Sequence, residues 1–191
     1  MSQSTSYRPR SSAEIAIAGA GVIGLSCAFE LVSRGHSVTL FDPAVPSSST
    51  SWAAAGMIAP AYELMLQGQD EDEALSNLCF ESAALWQDFA RRVQAASGVP
   101  IGYSRSPTLA LATKPEDVAR LRALKERLST SGHALSEIRP SRLSSEFGLS
   151  DKVTLALRLP NDHQVDNRRL LGALRSAVTG MGGRFVRGAV D

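Results

Sequence analysis

The chain has 191 residues, 43% apolar and 20% charged, with 20 Lys and Arg against 19 Asp and Glu and a net charge of +1. This is the composition of a folded globular domain and excludes disordered, collagen-like and coiled-coil chains. A near-neutral chain with no cluster of Lys, Arg and interleaved aromatics also gives nucleic acid no footing, and no apolar run reaches the roughly 18 residues that a membrane-spanning helix needs. Residues 1–13 are polar, rich in Ser and Arg and without a secretory core, so they read as a frayed lead-in to a cytoplasmic chain. Glu14–Ala18 predicts a short buried strand, residues 25–34 a helix stopped by Gly35, and Ser37–Phe41 a second strand rich in β-branched residues. Together they make one βαβ unit. Residues 43–60, with Pro, many Ser and a run of Ala, are expected to be loop for most of their length. Between Asp70 and Ser97 the apolar residues Leu75, Leu78, Cys79, Leu85, Trp86, Phe89 and Val93 recur at helical spacings, predicting one long amphipathic helix. Cys27 and Cys79, the two cysteines, both fall inside helical patterns and are expected as buried thiols.

Further along, Thr108–Thr113 predicts a strand, and Pro115 opens a helix running to about Leu128. Leu135–Ile138 and Val153–Leu157 are strand candidates flanking a short helix, Arg142–Phe147. A last helix, Asn167–Met181, with Asn167 as its cap, precedes Gly182-Gly183 and the strand Arg184–Val186. His36, His133 and His163 lie far apart with no Cys or acid at ligand spacing, so no metal site is expected. His163, beside Asp162, is expected in a polar loop before the last helix, and Trp86 and Phe89 in the core.

The chemistry concentrates in Gly19-Ala-Gly21-Val-Ile-Gly24, which follows a strand and opens a helix. Gly19 makes the tight turn, Gly21 lets a pyrophosphate approach the backbone, and Gly24 lets the helix pack against the strand, while the amides of Val22 and Ile23 lie at the helix N-terminus. Asp42 stands 23 positions after Gly19, where a carboxylate accepts hydrogen bonds from a ribose. An acid there repels a 2′-phosphate, which disfavours NADP, but NAD and FAD share this grip and the motif alone does not choose between them.

The segment Phe41-Asp42-Pro43, followed by Ser47-Ser-Ser-Thr50-Ser51-Trp-Ala-Ala-Ala55-Gly56-Met57, resembles the FAD-contacting segment of the glycine oxidase and D-amino-acid oxidase family of flavoproteins. Asn161-Asp-His-Gln-Val-Asp-Asn-Arg-Arg-Leu-Leu resembles the stretch where that family's chain returns from its substrate domain. The resemblance implies an α/β fold: a Rossmann-like FAD-binding domain with an inserted α+β substrate-domain segment, the FAD part drawn from residues 14–60 and 150–191 and the mixed remainder from 61–149. It implies FAD contacts from Gly19, Gly21, Val22, Ile23, Gly24, Asp42 and Pro43, from the hydroxyls of Thr50 and Ser51, from the backbone of Ala55, Gly56 and Met57, and from Val190 at the adenine end. Ala61, Tyr62 and Glu63 would follow the flavin loop.

The resemblance further implies oxidation of a small amine or amino acid (glycine, sarcosine or a D-amino acid) by dioxygen, giving imine or keto acid, ammonia and hydrogen peroxide, in thiamine biosynthesis for the glycine-oxidizing branch. Related chains continue well past Asp191. The arginine that clamps the substrate carboxylate and further flavin contacts are therefore expected in a C-terminal half absent here, and no catalytic residue is assigned. An exposed sheet face would then favour oligomers or a partner carrying that half. The alternatives are a non-catalytic FAD-binding subunit and an NAD-dependent dehydrogenase.

Overall fold

A computed structural model describes residues 13–44, 46–66 and 73–189. They fall into two compact units. One is drawn from within Met1–Gly56, Asp88–Gly102 and Asp166–Asp191, and the other from within Met57–Gln87 and Tyr103–Val165.

The first unit is built on β1 (Glu14–Ala18), α1 (Val22–Ser33) and β2 (Ser37–Phe41). β1 and β2 are parallel with Ile17 opposite Leu40, and β8 (Arg184–Val186) adds parallel to the other side of β2, giving the order β1-β2-β8. The parallel pairing follows from the α1 crossover, since parallel neighbours need a connecting helix. α1 buries Leu25, Ala28, Phe29 and Val32, and packs on α7 (Asn167–Gly180), which buries Leu170, Leu171, Leu174, Ala177 and Val178. Removing one such leucine from water contributes about 1.5–3 kcal/mol. Arg92 adds a polar tie in this unit: its guanidinium bonds Glu30 of α1 and sits over the Phe29 ring.

The second unit has an antiparallel sheet of order β4-β6-β5, formed by Thr108–Ala112, Leu155–Leu159 and Ser136–Ile138. Alternation on the central strand, β6, sorts its side chains to two cores. Leu155, Leu157 and Leu159 join Leu121, Leu124 and Leu128 of α5 (Pro115–Thr130), whereas Ala156 on the other face joins Leu143 of α6 (Pro140–Phe147). A smaller ladder pairs β3 (Met57–Ile58) with β7 (His163–Gln164).

Several sequence expectations are corrected. Residues 150–165, expected with the returning cofactor part, contain the central strand of the second unit's sheet, and the return begins at Asp166. The stretch 43–60 is more ordered than a loop: it holds a 3-10 turn (Pro46–Ser48), the helix α2 (Thr50–Ala53) and β3. The long helix is α4 (Glu73–Ser97), but Leu75, Leu78 and Leu85 on its expected apolar face are exposed, while Ala83, Ala90 and Val93 are buried. Cys27 is exposed and Cys79 half-buried, because Cys27 lies on the side of α1 away from Leu25 and Phe29.

Candidate cofactor-binding site

The glycine loop turns between β1 and α1. Gly19 has φ +97°, a left-handed value that a Cβ disfavours. Its N–H donates to Phe41 O at 2.8 Å, which fastens the turn to the end of β2. A Cβ on Gly24 would lie 2.0 Å from the Gly19 carbonyl oxygen, so the helix approaches the turn as closely as only glycine permits. Gly21 is the N-cap of α1 and has no side chain to satisfy the first helical amides. The first-turn amides and the positive end of the helix dipole are of the kind that suits an anion.

Two side chains from elsewhere in the unit complete the loop. Ser51 Oγ accepts from Val22 N–H at 3.0 Å, and a Cβ on Gly21 would lie 3.1 Å from the same oxygen. A hydroxyl accepts and donates at once, so its own proton is left to donate. Asp42 accepts from Ala20 N–H at 2.6 Å through Oδ2 and from Ala44 N–H at 2.8 Å through Oδ1. Each carboxylate oxygen retains a lone pair for a hydroxyl donor. A cavity of about 180 Å³ opens beside Asp42, lined also by Ala44, Arg175, Phe185 and Arg187. Arg175 stacks over the Phe185 ring at 4.0 Å, leaving its charge at the cavity wall.

The structure thus joins Gly19, Gly21, Val22, Gly24, Ser51 and Asp42 through backbone, close approach and hydrogen bonds. Ile23 in the first turn of α1 is 75% exposed, and Pro43, Thr50 and Ala55 are exposed beside or after these contacts. Gly56 takes φ +73° before β3, and Met57, which opens that strand, belongs to the second unit and is exposed. Val190 lies outside the described residues.

Sequence reasoning missed one connection here. Asn167 is not the cap of α7: Asp166 accepts from Arg168 N–H and Arg169 N–H, and Asn167 instead donates its amide to Ser51 O and Trp52 O. Asp and Asn side by side are both good caps, so sequence alone left the choice open.

The second unit holds the polar residues that precede Asp166 in sequence. Asp162 is fully buried and accepts from Ala61 N–H at 2.9 Å and Tyr62 N–H at 3.0 Å, which caps α3 (Pro60–Leu66). Burial pushes its carboxyl up to about 6, with the Glu63 charge adding to the rise and the two amides opposing it. His163 is not on a polar loop. It is buried in β7, its Nδ1 paired with the Tyr103 hydroxyl at 2.9 Å, and burial together with the Arg105 charge holds the imidazole below its ordinary range. Trp86, expected in the core, is half-buried and stacks on Tyr103. Among the described residues no group of three or more His, Cys, Asp or Glu could hold a metal, and no helix is long and apolar enough to cross a membrane.

Comparison with known proteins decides between the two dinucleotides. Residues 14–191 match the DAO family, described as FAD dependent oxidoreductase. The chain belongs to this family. It is 32% identical over 178 residues to the glycine oxidase of Geobacillus kaustophilus, a match covering 88% of this chain and 44% of that protein. It is 30% identical over 169 residues to the bifunctional protein ThiO/ThiG of Trichormus variabilis, covering 88% and 25%. The crystal structure of the Geobacillus kaustophilus glycine oxidase superposes with a TM-score of 0.81 at 28% identity, covering 90% of this chain and 45% of that one. The chain therefore spans less than half the length of these relatives. FAD is the cofactor of the family, which removes the NAD-dependent dehydrogenase, and the glycine cradle, the Ser51 hydroxyl and the Asp42 carboxylate suit its pyrophosphate and ribose.

Proposed function

We propose that these residues are the FAD-holding part of an oxidase of the glycine oxidase type, acting on glycine, sarcosine or a D-amino acid in the reducing cytoplasm, where the free thiols of Cys27 and Cys79 persist. The supporting observation is the loop that ties Gly19, Val22, Ser51 and Asp42 together in a chain of this family. When bound, FAD supplies the hydride acceptor and passes the electrons to dioxygen. For glycine the balance is glycine, dioxygen and water to glyoxylate, ammonia and hydrogen peroxide. In this reading the amides at the α1 N-terminus and the Ser51 hydroxyl hold the pyrophosphate, and Asp42 holds the ribose. Pro43, Thr50, Ala55, Gly56 and Met57 follow along the cofactor, with Val190 at its adenine end. A role in thiamine biosynthesis is part of the same proposal and draws on the likeness to ThiO/ThiG.

Clamping a substrate carboxylate calls for an arginine fork and a site shielded from water. We place both in the region that the relatives carry beyond the matched part, supplied by the same chain or by a partner. Peroxide release with FAD added tests this, measured for the 191 residues alone and for the product of the same reading frame where it continues past Asp191. The short chain is expected to oxidise glycine, sarcosine and D-amino acids no faster than free FAD, and the longer product well above it. Robust turnover by the 191 residues would put the clamp among them, and a flavin-loaded longer product inert on all three substrates would remove the oxidase reading.

A further inference from the structure

Asn167 makes a polar tie in the first unit that the FAD reading leaves unused. Its Nδ2 donates to Ser51 O at 2.7 Å and to Trp52 O at 2.9 Å, and two carbonyl acceptors at once fix which end of the amide is nitrogen. The next residue reinforces the link, because the Arg168 guanidinium lies over the Trp52 ring at 5.3 Å from its centroid. Both residues stand in the first turn of α7, whose start is fixed independently by the Asp166 cap and whose buried face is packed on α1. α2, by contrast, has only four residues and no buried side chain. A helix that short does not hold its own position. Yet Ser51 within it carries the hydroxyl that meets Val22 N–H and stands 3.1 Å from where a Gly21 Cβ would lie.

We propose that Asn167 is a positioning residue for the cofactor's pyrophosphate. It latches the α2 segment from α7 and so aims the Ser51 hydroxyl at the anion held by the glycine loop. This inference rests on the FAD reading above and adds to it a residue that acts through Ser51. A set hydroxyl matters because a donor already in place costs no ordering when the anion binds. The effect is confined to ligands carrying phosphate, since the cavity beside Asp42 is lined from β2, β8, the residues that follow each of them and Arg175 two turns along α7, and by no residue of α2.

The test is the affinity of the 191-residue chain for FAD, ADP and adenosine, in the wild type and in Asn167→Ala. Asn167→Asp serves as a second variant of the same shape without the donors. Thermal denaturation establishes that each is folded. Both variants are expected to weaken FAD and ADP about fivefold or more and to leave adenosine within about twofold. Combined with Ser51→Ala, Asn167→Ala is expected to add little, since it acts through that hydroxyl. Adenosine weakened in step with ADP, unchanged ADP affinity, or full additivity with Ser51→Ala would each overturn the proposal. A folded wild type that binds no FAD would instead remove the underlying reading, and wild-type binding with indifferent Asn167 variants would remove this inference alone.

Discussion

Gly24→Ala is expected to abolish FAD binding and to lower the stability of the first unit by about 3 kcal/mol or more. Overpacking a tight site ordinarily costs about 1–3 kcal/mol because side chains give way. Here the new methyl would lie 2.0 Å from the Gly19 carbonyl oxygen and 3.1 Å from its carbonyl carbon, with Ile17 Cγ2 at 3.3 Å. Backbone on the β1–α1 turn must therefore move. That turn carries the Gly19 N–H to Phe41 O bond and leads into the Ala20 N–H to Asp42 bond, so the anion cradle opens as the helix is pushed away. Gly172→Ala is the contrasting control. It lies on α7 with nothing within 4 Å of the added carbon, and an exposed helical glycine replaced by alanine gains about 0.5–1 kcal/mol. Thermal denaturation with and without FAD reads both. A Gly24→Ala protein that melts and binds as the wild type does would mean that the turn is not the rigid element described.

Asp162→Ala is expected to destabilise the second unit by about 2–5 kcal/mol, since it strands the buried amide of Ala61 at about 1–3 kcal/mol and the half-buried amide of Tyr62 at about 1–2 kcal/mol. Asp162→Asn keeps one acceptor oxygen and loses less. It also exposes a pH dependence whose sign follows from the direction of the shift. The folded carboxyl is raised to about 6 from an ordinary 3.8, chiefly by burial. Between those values the folded state holds a proton that the unfolded chain has released, so this group's contribution is fully present below about pH 4 and is lost as pH rises through about 6. The loss is at most about 3 kcal/mol. Denaturant midpoints from pH 4 to 7 check it: the wild type should lose ground against Asp162→Asn across that range. A constant difference between the two would show that Asp162 keeps its ordinary titration.

The glycine loop was legible because its demands are local. The spacing of Gly19, Gly21 and Gly24 after an apolar pentapeptide is itself the steric requirement, and the acid at Asp42 follows from where β2 must end. The second unit was harder to read. Leu155-Ala-Leu-Arg-Leu159 announces a strand, but only pairing with β4 and β5 shows that it lies at the centre of a different sheet from β1 and β2. His163 sits in a polar tetrapeptide, and its burial comes from β3 and Tyr103, more than 50 residues away in sequence. Leu75, Leu78 and Leu85 carry helical periodicity but are exposed among the described residues, because a period marks a face without naming what packs on it. Asn167 was misread for a related reason. A capping residue is judged from its own helix, whereas this amide serves a segment 115 residues earlier.

FAD retention by the loop built from Gly19, Val22, Ser51 and Asp42 is open to direct measurement. Titration of the purified 191-residue chain with FAD, followed by flavin fluorescence and the visible flavin band, tests it most directly, with NAD as competitor and Asp42→Ala alongside. Loss of hydrogen bonds to an ionised acceptor costs about 1.5–3 kcal/mol each, so the variant should bind at least about tenfold more weakly. A loop that holds FAD gives saturable binding that NAD does not displace and that Asp42→Ala weakens to that degree. A folded chain that binds no FAD, that yields its FAD to NAD at equal concentration, or whose Asp42→Ala variant binds within about twofold of the wild type would contradict it.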